Sequence, residues 1–123
     1  MVQNVKIAVV DDNELTRGLL VDVFMFCVNR KVQEFENASA AWHHFEEDGP
    51  PDLLLSDVNM SEMTGLELLA KIKQQSPKTV CVMMSGDRVS EKFAKELGAD
   101  AFLAKPFNIK DLFEIVRTFV VGE

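Results

Sequence analysis

Residues 52–57 read DLLLSD, a near-continuous apolar run that ends in a carboxylate, Asp57. A run without regular alternation of polar residues is typical of a strand buried on both faces of a sheet. The segment TVCVMM (79–84) has the same character and is followed by Ser85. Because strands of this kind occur mostly in parallel sheets covered by helices, these two runs favour an α/β fold.

Three further strands are predicted on either side of these runs. They are VKIAVV (5–10), the weaker and more polar KVQEFE (31–36), which suits a sheet edge, and AFLA (101–104). Helix-like segments separate them, giving five β-α units within a single domain spanning 1–123. Right-handed crossovers restrict such a chain to a few topologies, and we expect a doubly wound, flavodoxin-like parallel sheet of order 2-1-3-4-5 with helices on both faces.

The helices are predicted from apolar spacing and from capping residues. Asn13, Thr64 with Glu67, and Asn108 are the expected N-terminal caps, and a further helix spans 38–47. Apolar residues recur at helical spacing on three helices, which predicts their buried faces. These residues are Leu15, Leu19, Val23, Phe26 and Cys27 in the first helix; Val89, Phe93, Ala94 and Leu97 in the fourth; and Ile109, Leu112, Phe113, Val116, Phe119 and Val120 in the last.

The composition excludes several classes of function. The net charge is −7, which argues against nucleic-acid binding by this domain and against docking on an anionic membrane. No apolar stretch approaches the roughly 20 residues of a membrane span, and no signal peptide is recognisable. Cys27 and Cys81 lie in apolar runs without a metal or redox motif, so we expect reduced thiols and a cytoplasmic location.

Chemically useful side chains follow four of the five predicted strands. Asp11 and Asp12 follow the first strand, Asp57 ends the third, Ser85 follows the fourth and Lys105 follows the fifth. In the order 2-1-3-4-5 these strands are neighbours, so three carboxylates, a hydroxyl and an ammonium should meet at one sheet edge. Three close carboxylates resist ionisation, and a hard divalent cation, Mg²⁺ or Mn²⁺, would resolve their repulsion.

A carboxylate beside such a cation is suited to attack a phosphoryl group. The product would be an aspartyl phosphate, and the reaction would depend mainly on stabilising the charge of the phosphoryl oxygens. Lys105 and Ser85 would supply that stabilisation. The alternative for Asp11 and Asp12 alone is a helix cap with an acidic first turn, and the joint occurrence of all five residues argues against it.

The chain resembles the receiver domain of bacterial two-component response regulators over almost its whole length. The motifs that carry the resemblance are VVDDN (9–13), LLLSDVNMSEMTGLELL (53–69), VMMSGD (82–87) and GADAFLAKPF (98–107). The resemblance implies that Asp57 is the phosphoacceptor. It also implies that the metal is bound by Asp11, Asp12, Asp57 and the backbone carbonyl of Asn59.

The same resemblance assigns the residues that respond to phosphorylation. Ser85 matches the hydroxyl residue that reorients onto the phosphate, and Phe102 matches the aromatic residue that then packs inward. Lys105 matches the family's lysine, and the Lys105–Pro106 bond is expected to be cis. Asn59 and Asp87 occupy positions that influence access of the hydrolytic water, and this polar pair predicts a comparatively short-lived phosphate.

The implied function is a signalling switch and not an enzyme acting on other molecules. The expected partners are a histidine kinase or histidine phosphotransfer protein, and a downstream effector that recognises the face formed by helix 4, strand 5 and helix 5. Phosphorylation could also produce a homodimer. The sequence does not decide whether the domain acts as a stand-alone receiver or as part of a longer chain.

Two other functions are weighed against the switch. A phosphatase with an aspartyl intermediate would place its nucleophile on the first strand with a second acid two residues later, whereas Asp57 lies on the third strand and is followed there by Asn59. A receiver-like scaffold that is not phosphorylated is disfavoured by the intact acceptor, metal and lysine positions. A nucleotide-binding domain is weaker still, because no glycine-rich loop follows the first strand.

Overall fold

Strands and helices alternate along the computed structural model, which describes residues 5–28, 32–60 and 62–121. Its strands are β1 (Ile7–Val10), β2 (Gln33–Phe35), β3 (Leu53–Asp57), β4 (Val80–Ser85) and β5 (Ala101–Ala104). Its helices are α1 (Glu14–Val28), α2 (Ala38–Asp48), α3 (Gly65–Gln75), α4 (Arg88–Glu96) and α5 (Ile109–Ile115), which continues into a π-helical turn, Val116–Val121. None of the helices in these ranges is long and apolar enough to cross a membrane.

The strands form one parallel sheet in the order β2-β1-β3-β4-β5. The predicted fold and strand order are therefore confirmed. The edge strand β2 is shorter than the predicted 31–36, and Lys31 lies outside the described residues. In the register of the sheet, Asp57 lies beside Met84, and Ser85 beside Ala104. The carboxyl ends of β3, β4 and β5 therefore lie at the same edge.

Helices cover the sheet on both faces and create two apolar layers. One layer joins α1 and α5 to the sheet through fully buried side chains such as Phe24 and Leu112. The other joins α2 and α3 through residues such as Phe45 and Leu68. Full burial of one such side chain contributes about 1.5–3 kcal/mol, so each layer fixes its helices firmly against the sheet.

The predicted buried face of α1 is correct only in part, because Val23 and Cys27 pack against the core but other predicted residues do not. Leu15 is 86% exposed and Phe26 is 84% exposed, whereas Leu20, Val21 and Phe24 contact the core. Apolar residues occupy most of this helix, so their spacing matched more than one face. Only packing against the sheet selects among those faces.

The predictions for α4 and α5 are also correct only in part. On α4, the predicted Ala94 is buried, but Val89 and Phe93 are exposed and the small residue Ser90 faces inward with Ala94. Small side chains let a helix approach a sheet closely, and hydrophobicity alone does not reveal such a face. On α5 the predicted Ile109 and Phe113 are exposed. The buried residues there and in the following turn are Leu112, Ile115, Val116 and Val120.

Capping side chains begin the helices where the sequence predicted them. Thr64 and Asn108 each form a capping box with the residue three positions later, and Asn13 Oδ1 accepts a hydrogen bond from the Thr16 amide. Each cap is worth about 1 kcal/mol. The caps therefore fix the loops between strand ends and helix starts, where the polar side chains lie.

Candidate functional site

Three carboxylates lie together at the carboxyl edge of the sheet. Asp11 follows β1 directly and Asp57 ends β3, its neighbour, so the two side chains are brought side by side. Asp11 is fully buried, Asp57 is 6% exposed, and Asp12 is exposed at the rim. One oxygen from each carboxylate lies within 4.8 Å of the other two.

Lys105 bridges the two buried acids. Its Nζ lies 3.2 Å from Asp11 Oδ2 and 3.2 Å from Asp57 Oδ1. Lys105 follows β5, and its amide donates a 2.9 Å hydrogen bond to the Ser85 carbonyl, which anchors it beside β4. The Lys105–Pro106 peptide bond is cis. An open cavity of about 400 Å³ adjoins the lysine and is also lined by Thr16, Leu19, Pro106 and Phe107.

Burial and charge act in opposite directions on the ionisation of this group. Burial raises the pKa of Asp57 above its ordinary value; Lys105 lowers it, and the carboxylates of Asp11 and Asp12 raise it again, so the net shift is upward. Burial alone would lower the pKa of Lys105, but attraction by Asp11 and Asp57 outweighs it and raises that pKa. The lysine therefore stays charged, while the ionised form of the Asp57 carboxylate is disfavoured by its surroundings.

The donor set fits a hard divalent cation. Three carboxylates face one ammonium, which leaves two negative charges uncompensated when all four groups are ionised. Oxygen ligands of this kind suit Mg²⁺, which commonly takes one or two carboxylates and retains several waters. The structure thus brings together Asp11, Asp12 and Asp57 in an arrangement that could hold such an ion. The contribution of the Asn59 carbonyl stays a prediction.

Ser85, Asn59 and Asp87 form a second polar group on the neighbouring strand end. Ser85 is 1% exposed, and its Oγ accepts hydrogen bonds from Asn59 Nδ2 at 3.2 Å and from the Asp87 amide at 3.0 Å. With both incoming bonds on the oxygen, the hydroxyl keeps its own hydrogen to donate. The hydroxyl is therefore held in a fixed place with one donor available.

Asp87 also has a structural role that the sequence analysis missed. Its Oδ1 accepts a 2.9 Å hydrogen bond from the Val89 amide, so Asp87 is the N-terminal cap of α4. Phe102 lies on β5 opposite Met83, half-buried against the layer that contains α2 and α3. The roles of Asp87 in dephosphorylation and of Phe102 in switching stay predictions.

Two further residues at the site had not been singled out. Gly65, the first residue of α3, lies so close to β3 that an added Cβ would be 2.0 Å from the Asp57 carbonyl oxygen. Arg17 on α1 donates a 2.9 Å hydrogen bond to the Asp11 carbonyl. Gly65 lies in the motif TGLELL beside a capping residue, which is a weak sequence signal; Arg17 has no distinctive spacing.

Comparison with known proteins finds one family model that covers most of the chain, including the residues of this site. The family model described as "Response regulator receiver domain" matches residues 7–117. The chemotaxis protein CheY of Bacillus subtilis is 31% identical over 114 residues, covering 91% of this chain and 94% of CheY. The transcriptional regulator NtrC of Azospirillum brasilense is 33% identical over 113 residues, covering 90% of this chain but only 23% of NtrC.

Solved structures show the same fold. The receiver domain of NtrX from Brucella abortus aligns with a TM-score of 0.83 at 27% identity, covering 96% of this chain and 100% of that one. CheY4 of Vibrio cholerae aligns with a TM-score of 0.82 at 25% identity, covering 94% and 98%. The matched region includes all the residues of the acidic cluster and Lys105.

Proposed function

The chain belongs to the family of response regulator receiver domains, and on that premise we propose that residues 1–123 form one receiver that acts as a phosphoacceptor switch in a two-component system or phosphorelay. Asp57 accepts a phosphoryl group from a histidine kinase or a histidine phosphotransfer protein. The observation that carries the proposal is the position of Lys105 Nζ, 3.2 Å from both Asp57 and Asp11 within the acidic cluster.

The transfer requires a nucleophile and groups that hold the charge of the phosphoryl oxygens. A carboxylate oxygen of Asp57 attacks the phosphorus of a phosphohistidine; a P–O bond forms, the P–N bond breaks, and the imidazole nitrogen keeps the electron pair and takes a proton from solvent. Lys105 holds one phosphoryl oxygen electrostatically, and the Ser85 hydroxyl donates to another. The chain thereby catalyses only its own phosphorylation and dephosphorylation.

We assign the metal ligands to Asp11, Asp12, Asp57 and the Asn59 backbone carbonyl. Bound Mg²⁺, or Mn²⁺, supplies positive charge beside the phosphoryl oxygens. The fit of the donor set supports this assignment, because the uncompensated charge of the cluster matches a divalent ion. The open cavity beside Lys105 supports access for a donor protein, because Leu19 lines it and Leu15, on the same helix, is almost wholly exposed.

The output surface is assigned to the face formed by α4, β5 and α5. Val89 is 63% exposed, Phe93 50% and Phe113 46% on this face. Exposed apolar side chains that cluster on one face often mark a protein contact, here with a downstream effector or a second copy of the chain. Phosphorylation shifts the population of states by drawing Ser85 and Lys105 to the phosphate while Phe102 packs inward.

The proposal places this exchange in the cytoplasm. Cys27 and Cys81 are both free thiols. Burial raises the pKa of Cys81 to about 12, so this thiol is protonated and chemically inert at neutral pH. Neither cysteine needs an oxidising compartment, which supports a reducing one.

The decisive experiment is phosphorylation by acetyl phosphate in Mg²⁺, measured by intact mass. The wild-type chain should gain one phosphoryl group, and Asp57→Asn should gain none. Asp22→Asn is the matched control, because Asp22 is exposed on α1 outside the acidic cluster; it should behave like wild type. A chelator should abolish the gain in the wild-type chain and in Asp22→Asn.

Other outcomes separate the alternatives. Failure of the wild-type chain to gain mass in Mg²⁺ would favour the scaffold. Multiple turnovers on phosphate esters would favour the phosphatase. A hydrogen-exchange comparison with and without acetyl phosphate tests the output face: we expect changed protection in α4 and β5, and a change confined to the loop after β3 would contradict that assignment.

A further inference from the structure

The Arg17 side chain binds the backbone of the acidic pair, Asp11 and Asp12, through the Asp11 carbonyl. The Arg17 side chain is 16% exposed; its Nη1 donates to the Asp11 carbonyl at 2.9 Å and its Nε donates to Glu34 Oε1 at 3.0 Å. The Asp11 amide in turn donates to the Phe35 carbonyl at 3.1 Å. Both backbone groups of Asp11 are therefore fixed. The amide is held by Phe35 on β2, and the carbonyl is held by Arg17 on α1.

This arrangement bears directly on the metal ligands. The Asp11 carbonyl belongs to the peptide unit that leads into Asp12, so its orientation sets the direction in which the exposed Asp12 carboxylate leaves the chain. Arg17 binds this carbonyl and Glu34, while the Asp11 carboxylate contacts Lys105 and the Asn13 amide. The guanidinium thus restrains the loop through a backbone carbonyl and leaves the carboxylate oxygens of the cluster to a cation.

A guanidinium is the side chain that this position requires. Its planar fork serves two acceptors in different directions, whereas an ammonium is a point charge on a flexible stem. Glu34 balances the charge of Arg17, so the pair adds no net charge to the neighbouring pocket. The pair therefore acts by holding the Asp11–Asp12 peptide in place, and it does not alter the net charge around the acidic cluster.

We propose that Arg17 is a positioning residue for Mg²⁺ binding, which it supports by fixing the Asp11–Asp12 peptide between α1 and β2. This inference rests on the proposed function, since it concerns the same acidic cluster. Residues that orient metal ligands typically change metal affinity by about 10–100-fold when they are replaced. We expect Arg17→Gln to weaken Mg²⁺ binding by about tenfold, and Arg17→Lys to restore only part of the loss.

Lys73 provides a matched control at the other end of the strands, because its partners Thr79 and Asp100 directly precede β4 and β5. Its side chain is 17% exposed, and like Arg17 it joins a backbone carbonyl, that of Thr79 at 2.7 Å, to a carboxylate, that of Asp100 at 2.9 Å. Lys73→Gln therefore removes a comparable bridge without touching the acidic pair. Glu34→Gln is the second control, because its amide oxygen still accepts from Arg17 and the charge it loses is 51% exposed and screened by solvent.

The test combines Mg²⁺ titration by calorimetry with amide hydrogen exchange in metal-free protein. Arg17→Gln should weaken Mg²⁺ binding and speed exchange of the Asp11 amide. Lys73→Gln and Glu34→Gln should change neither Mg²⁺ affinity nor Asp11 exchange more than about twofold, far less than the loss of a ligand-orienting residue.

The results separate this inference from the function on which it rests. Wild-type Mg²⁺ affinity and wild-type Asp11 exchange in folded Arg17→Gln would overturn the inference and leave the function intact. An equal loss of affinity in Lys73→Gln would also overturn it, because the effect would then be general destabilisation. If the wild-type chain bound no Mg²⁺, both the proposed function and the assigned metal role of Arg17 would fail.

Discussion

Gly65 is the position where one added methyl group should most disturb Asp57, the proposed phosphoacceptor. A Cβ there would lie 2.0 Å from the Asp57 carbonyl oxygen, 2.8 Å from Val58 Cα and 2.9 Å from the Asp57 carbonyl carbon. A carbon atom and a carbonyl oxygen need about 3.3 Å even in a close contact. Gly65→Ala therefore requires α3 and the end of β3 to separate by about 1.3 Å. These contacts are all to backbone, so no side chain can rotate to relieve them.

The energetic loss follows from what that separation disrupts. The Gly65 amide donates a 2.9 Å hydrogen bond to the Val58 carbonyl, worth about 1 kcal/mol. Overpacking a close-packed contact adds about 1–3 kcal/mol. Alanine recovers under about 1 kcal/mol through the lower entropy of the unfolded chain. We expect Gly65→Ala to lower the free energy of unfolding by about 2–3 kcal/mol.

Gly18→Ala is the matched control. Gly18 lies within α1, and an added Cβ would meet nothing within 4 Å, so the same substitution should raise the free energy of unfolding by about 0.5–1 kcal/mol. Urea denaturation followed by circular dichroism measures both changes. Gly65→Ala should also slow phosphorylation by acetyl phosphate, because Asp57 moves. An unfolding free energy for Gly65→Ala within about 0.5 kcal/mol of wild type, the range of neutral surface changes, would refute the reasoning.

Three further predictions concern the pair of Asn59 and Asp87, then Glu62, and then Asp57. Asn59→Met should slow decay of the phosphorylated chain by about tenfold, because it removes a group that positions water. Asp87→Asn should slow it too while keeping the α4 cap, and unchanged decay in both variants would disprove the polar-pair explanation. Glu62 has a φ of 61°, so Glu62→Gly should raise the free energy of unfolding by about 0.5–1 kcal/mol, and a decrease would contradict the strain. Asp57→Asn in chelator should be more stable than wild type at pH 7, because burial raises the pKa of Asp57 and disfavours its charged form. That advantage should vanish as the pH falls below 3.8, the ordinary pKa of an aspartate, because Asp57 is then protonated in both the folded and the unfolded chain. Urea denaturation at several pH values measures the difference in unfolding free energy between the two proteins, and a difference that stays constant with pH would contradict the prediction.

The sheet was predictable because its central strands leave few alternatives. DLLLSD and TVCVMM are apolar on both faces, and β3 and β4 are buried almost throughout. The helix faces were less predictable because packing selects among several apolar stripes. Leu15 and Phe26 have helical spacing yet are exposed, whereas Ser90 is buried because α4 approaches the sheet through small residues. A local pattern records hydrophobicity, but it does not record how near a helix lies to its sheet.

The acidic cluster was predictable for a different reason. Parallel strands align their carboxyl ends, so a polar residue after each of several strands must converge with the others once the strand order is known. Asp11, Asp57 and Lys105 meet in this way. Arg17 and Gly65 act on the backbone, through the Asp11 carbonyl and against the Asp57 carbonyl. Contacts of that kind depend on three-dimensional distance and leave at most a weak pattern in the sequence.

The position of Lys105 links the chemistry of the acceptor to the output face. Its Nζ contacts both Asp11 and Asp57, and a phosphoryl group on Asp57 would carry a charge of about −1.5 to −2 in place of the single negative charge of the carboxylate. In the proposed mechanism the ammonium then moves toward the phosphoryl oxygens. Lys105 directly follows β5, and its amide donates a hydrogen bond to the Ser85 carbonyl. Movement of the lysine would therefore also pull on β5, the strand that contains Phe102. In the proposed mechanism, a local change of charge at Asp57 is thereby converted into a displacement of β5 within the assigned output face.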